Sequence, residues 1–169
     1  MSTSMYTASA PVFARALTQL RHVLGKGAAH ATARKIDESV FVNGRLAPDM
    51  FPLSKQVQIA TDHARGTVAR LAGHEPPSWE DNEKTFADLI ARVDRAIAAV
   101  EAAKPSDIDG SESRPVTRKI RGEPKTFRGQ AYLFTYALPN FWFHAAMTYA
   151  ILRHLGVDVG KNDWIGPLD

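Results

Sequence analysis

Four stretches of this chain repeat apolar residues at the three- and four-residue spacing of an α-helix, and that periodicity limits the fold more than any motif does. In the first, Tyr6, Phe13, Leu17, Leu20 and Leu24 share one stripe. Pro11 is placed to open this helix or to kink a longer one, and Gly25 and Gly27 are placed to end it. The second runs from Pro52 to Ala72 on Leu53, Val57, Ala60, Ala64, Val68 and Leu71, with Gly73 as its stop. Gly66 within it costs about 1 kcal/mol relative to alanine, which predicts close approach by a neighbouring helix. The third carries Phe86, Leu89, Ile90, Val93, Ile97 and Val100 to about Ala103. Ser78, Asp81 and Asn82 offer its N-cap, and Lys104-Pro105 ends it. The fourth extends from about Gly129 to Leu155, with Pro139 at its middle, where a kink is expected.

The segments between them are shorter in pattern. Residues 28–50 predict a long connection with one or two short helical pieces. Residues 106–113 are acidic and turn-like, and residues 115–128 alternate on either side of Arg121-Gly122-Glu123, the pattern of a β-hairpin. The expectation is an all-α fold, a four-helix bundle with a long first connection and a small β-hairpin before the last helix. Its 169 residues are enough for one domain, 1–169, with a substantial core.

Composition narrows the chemistry. With no cysteine, disulfides, thiolate metal sites and a cysteine nucleophile are excluded, and any thiol in a reaction must arrive on a co-substrate. No apolar run reaches the length of a bilayer span, and the first residues lack the pattern of a signal peptide, so no membrane association and a cytoplasmic location are expected. The net charge is +3, and the densest basic stretch holds Arg114, Arg118, Lys119, Arg121, Lys125 and Arg128. Without exposed stacking aromatics this stretch reads as a solvated hairpin packing one face on the bundle, and no nucleic-acid partner is expected. A phosphate-binding glycine loop, His-Glu-x-x-His and Gly-x-Ser-x-Gly are all absent from the sequence.

The most apolar segment, Pro139 to Gly156, contains the candidate site. Asn140 and His144 are four apart and so share one helix face, one turn from each other. His144 reads as a buried histidine bonded to a neighbouring helix, as a ligand-contacting pocket residue, or as a metal ligand. Asn140 either lines the same pocket or satisfies backbone groups freed by Pro139. On the second helix, Asp62 either orients His144 and raises its pKa or pairs with Arg65. Gln56 lies beside the core stripe, and Gln58 is expected on the solvent face. His22, His30, His63, His74 and His154 share no spacing that builds a metal site. Trp142 and Phe143 are adjacent, so both cannot face the core, and a second apolar surface predicts a homodimer.

The last helix carries a resemblance. His144, then Ile151-Leu152-Arg153-His154-Leu155-Gly156, resembles the final helix of the DinB/YfiT-like superfamily, where two histidines four apart precede a Leu-Arg-x-x-Gly end. His144 falls on the second histidine and Asn140 on the first. The chain is most similar to an uncharacterised, mainly bacterial branch, domain-of-unknown-function family 1993. The similarity lies at Leu46 to Leu53, Arg70 to Gly73, Thr85-Phe86, Phe127 to Gly129, Leu138 to Phe141, His144, and Gly160-Lys161-x-Asp163. The superfamily implies a divalent metal, zinc or nickel, held by one histidine from helix two and two from helix four, with thiol transfer or isomerisation in some members. Carried over residue by residue, only His144 matches, because Asn140 replaces one histidine and the helix-two position aligns near Ile59. Three readings follow. The first is a degenerate relative without the triad, keeping a polar pocket of His144, Asn140, Asp62 and Gln56 for an unknown small molecule. The second is a metal-dependent transferase or isomerase with His144 as a ligand, and the third a dimeric structural or interaction protein.

Overall fold

The computed structural model describes residues 3–168. Four long helices form the bundle: α1 (Ala10–Arg34), α3 (Leu53–Leu71), α4 (Phe86–Glu101) and α7 (Leu138–His154). Short helices α2 (Glu38–Val42), α5 (Pro105–Ile108), α6 (Gly129–Ala131) and α8 (Lys161–Ile165) fill the connections, and strands β1 (Pro115–Ile120) and β2 (Glu123–Arg128) make one antiparallel hairpin. Around the bundle α1 packs on α4, α4 on α3, α3 on α7, and α7 back on α1. The core is the expected set of stripes, fully buried at Phe13, Leu17, Leu20, Val57, Ala64, Phe86, Leu89, Val93, Phe141 and Leu152 among others. Phe13 and Phe141 meet edge to face at 5.0 Å, a favourable aromatic geometry.

The first helix is longer than its glycines suggest. It passes through Gly25 and Gly27 and stops at Lys35, which takes the left-handed conformation and bonds back to the Ala31 and Thr32 carbonyls. A Cβ at Gly27 would sit 2.9 Å from the Phe86 ring and 3.0 Å from Leu152 Cδ2. This glycine is therefore a contact between helices rather than a terminus, and the first connection shrinks to residues 35–52 around α2. Gly66 differs in the opposite sense. What lies over it is no neighbouring helix but Arg70 Nη1, which would be 2.6 Å from a Cβ there and donates to the Gly66 carbonyl at 3.1 Å.

Helix α4 begins at a capping box of Thr85 and Asp88, so Ser78, Asp81 and Asn82 lie upstream in a loop instead of capping it. The sequence pattern offered several acceptors, and the reciprocal pair took the position. Upstream of α7, residues Tyr132–Ala137 form a π-helical turn. Pro139 cannot donate an N–H and crowds the preceding turn, and the widened turn before it accommodates that loss. Trp142 and Phe143 are both largely exposed, at 40% and 53%, with Trp142 edge-on to Trp164 of α8. Within the described residues no helix is long and apolar enough to cross a membrane.

Candidate functional site

Helix α3 carries two polar stripes, one on each side of its apolar core stripe. The first comprises Gln58, Thr61, Asp62 and Arg65 and faces α4 and the loop before it. The second comprises Gln56, Ile59, His63, Gly66 and Arg70, at intervals of three and four, and meets α7 and the hairpin.

On the α4 side the buried charges are paired, although the Trp79 indole N–H is buried without a partner. Arg92, only 4% exposed, donates through Nε to Thr61 Oγ1 at 2.9 Å and through Nη1 to the Glu80 carbonyl and Glu83 Oε1, each at 2.8 Å. Its Nη2 pairs with Asp62 and Asp81 at 3.1 Å. Gln58 donates to the second Glu83 oxygen at 2.8 Å. Arg65 holds Asp62 at 2.8 Å, bonds the Pro77 carbonyl, and stacks on Trp79 with Arg95 on the ring as well, at 4.1 and 4.0 Å. The depression on this side is the larger one, about 650 Å³, but its buried guanidinium, Arg92, is already neutralised by Glu83, Asp62 and Asp81. The buried charge network therefore fixes the loop to the bundle.

On the α7 side the groups are paired less completely. Gln56, 1% exposed, donates its amide to the Phe51 carbonyl at 3.2 Å, which turns Oε1 toward His144 Nδ1 at 2.7 Å. A carbonyl oxygen only accepts, so neutral His144 carries its proton on Nδ1 and leaves Nε2 as the basic nitrogen. The His63 ring lies nearly parallel to that of His144, centroids 6.3 Å apart, and contacts Tyr136 at 5.6 Å. Among the described residues neither ring nitrogen of His63 has a hydrogen-bond partner. Burial, the neighbouring His144, and the positive charges of Arg118 and Arg70 together push His63 down to about 4, and burial lowers His144 as well. Both imidazoles are neutral at pH 7. A cleft of about 350 Å³ opens in front of His63, lined by Ile59, Asp62, Arg65, Arg70, Arg118 and the Pro76 to Ser78 turn.

The four residues expected to form one pocket are thus divided. Gln56 and His144 come together. Asp62 turns away from His144 to Arg65 and Arg92, although it edges the same cleft as His63. Asn140 donates its amide to the Tyr136 carbonyl at 2.7 Å, bridging the π-helical turn beside Pro139. The pocket is fronted by His63, with His144 one ring behind it. Gln58, expected on the solvent face, is buried and bonded to Glu83. His63, Arg70 and Arg118 are the residues sequence reasoning missed. The signal for His63 was its two-turn spacing from Gln56.

A three-histidine metal centre does not fit these residues. Of the three positions only His144 is a histidine: Asn140, its amide engaged with the Tyr136 carbonyl, takes the second, and the helix-two position near Ile59 carries no donor. No group of three or more histidine, cysteine, aspartate or glutamate side chains able to hold a metal occurs among the described residues, and a catalytic zinc needs three protein ligands.

Residues 5–165 match the family model described as domain of unknown function (DUF1993). A solved structure described as a DinB family member protein from Shewanella denitrificans is similar to the chain at a TM-score of 0.90 and 35% identity, over 96% of this chain and 92% of that one. No curated protein matches the sequence.

Proposed function

The chain belongs to the DUF1993 family and folds as a DinB-like bundle, and from that premise we propose that it binds a small molecule at the cleft fronted by His63. The observation that carries this reading is the neutral His63 imidazole that lines the cleft, with His144 stacked behind it. His63 presents ring nitrogens with no protein partner to the cleft, and His144, held in one tautomer by Gln56, supports it from behind. Ring nitrogens that open on a cleft without a protein partner leave positions that a ligand's polar groups can fill. Neutral imidazole offers one donor and one acceptor, so it recognises a ligand carrying complementary groups without a charge of its own.

The test is a titration of histidine-labelled protein followed by NMR. Saturable shifts of the His63 and His144 ring resonances on addition of a small polar fragment such as benzamide, lost in His63→Ala with the fold intact, are expected. Fragment binding that moves other resonances and leaves both rings untouched would overturn the reading.

A further inference from the structure

The cleft holds more positive charge than its neighbours neutralise. In β1 the bundle-facing positions alternate Val116, Arg118, Ile120, so Arg118 occupies an inward position that the pattern reserves for an apolar side chain. Its Nε is buried with no hydrogen-bond partner, and among the described residues no carboxylate pairs with it. Arg70 is engaged at its tips, Nη1 donating to the Gly66 carbonyl at 3.1 Å and Nη2 reaching the exposed Glu75 at 3.4 Å, but its side chain is only 10% exposed and its Nε is buried without a partner. The single carboxylate in the cleft, Asp62, is already shared by Arg65 and Arg92. Buried guanidinium N–H groups without acceptors are costly unless something accepts them.

We propose that Arg70 and Arg118 form the anchor of an oxyanion site, and that the ligand of the His63 cleft is a small molecule bearing a carboxylate or phosphate group. The inference rests on the cleft being a binding site and adds the chemical class. A guanidinium presents its N–H groups as a flat fork that matches the paired oxygens of both anions. Arg118 supplies such a fork from the hairpin and Arg70 a free Nε–H from the end of α3, so the anion would tie the hairpin to the bundle. His63 beside them, uncharged and with no other partner, accepts or donates one hydrogen bond to the remainder of the ligand. The exposed cations of the same hairpin, Lys119, Arg121, Lys125 and Arg128, lie outside the cleft and take no part.

The test uses the full chain with three probes added separately: inorganic phosphate, succinate and uncharged benzamide. His63 ring resonances and calorimetric heat report binding. The expected result is saturable binding of phosphate, succinate or both, raising the pH at which His63 titrates and weakening with added salt. Arg118→Gln should weaken binding by about tenfold or more, the loss of charge-assisted hydrogen bonds. Arg118→Lys keeps the charge but not the fork and should fall between, and Arg128→Gln on the outer face should bind as wild type. Which of the two anions binds tighter identifies the group. Benzamide shifting the His63 ring while neither anion does would overturn the oxyanion assignment and leave the cleft reading standing. No probe binding would overturn both. Anion binding unchanged in Arg118→Gln, with the hairpin folded, would also overturn the assignment.

Discussion

The two polar faces of α3 use the same residue types to opposite ends. Toward α4, each of the three nitrogens of Arg92 meets an oxygen and Glu83 is held on both sides. Toward α7, two arginines keep a buried unpartnered Nε, and the partly buried His63 ring has no hydrogen-bond partner among the described residues. A guanidinium with all its acceptors supplied by the protein has nothing left to offer a ligand. One with buried nitrogens left over is held in place by packing and waits for its acceptor from outside. The difference distinguishes structure from site better than charge or cavity size does, since the larger depression lies on the structural face.

The comparison can be broken most sharply at Arg92. Removing one partner of a buried, hydrogen-bonded charge network leaves the others uncompensated, so Arg92→Gln is expected to lose about 3 kcal/mol, read by urea unfolding at pH 7. A loss below about 1 kcal/mol, the size of an exposed pair, would mean that the network is not structural.

Acid is the next largest lever. His63 binds its proton only near pH 4 when folded but near 6.5 when unfolded, so between those values the unfolded state holds more protons. Stability supplied by the neutral ring is complete above pH 6.5 and is lost as pH falls toward 4. His144 is shifted in the same direction. The wild type should lose on the order of 2 kcal/mol more than His63→Gln across this window, after discounting for solvent screening. Equal slopes in urea titrations at pH 7 and pH 4.5 would show that His63 is not held neutral.

Gln56→Leu should cost about 1.5 kcal/mol, because it leaves the Phe51 carbonyl and the His144 Nδ1–H without their partner. The same variant should release the tautomer of His144, visible as mixed ring nitrogen shifts. Asn140→Ala should cost about 0.5–1 kcal/mol through the Tyr136 carbonyl alone and should leave the His144 ring shifts unmoved. Movement of those shifts would place Asn140 in the site after all.

Much of this was legible in the sequence where spacing alone determines geometry. The stripes of α3 and α4, the hairpin at 115–128 and the Asn140-to-backbone bond beside Pro139 follow from local periodicity and from what proline withholds. The Gln56–His144 pair was legible as two candidates though not as a bond. What was hidden depends on packing between distant segments. Gly27 looks like a helix stop until Phe86 and Leu152 are seen against it. Thr85 outcompetes the cap candidates upstream because Asp88 returns the bond. Asp62 has two suitors in the sequence, His144 and Arg65, and the position of Arg92, thirty residues on, decides between them. Arg118 reads as one more cation in a basic run until the strand register turns it inward.

The most direct test of the account is the unfolding free energy of Arg118→Gln at pH 7, without added anion, set beside that of Arg92→Gln. A residue kept for a ligand contributes nothing to the unliganded fold or weakens it. Arg118→Gln should therefore match the wild type or exceed it by up to about 1 kcal/mol, while Arg92→Gln falls well below. A loss at Arg118 as large as the loss at Arg92 would contradict the division of α3 into a structural face and a binding face.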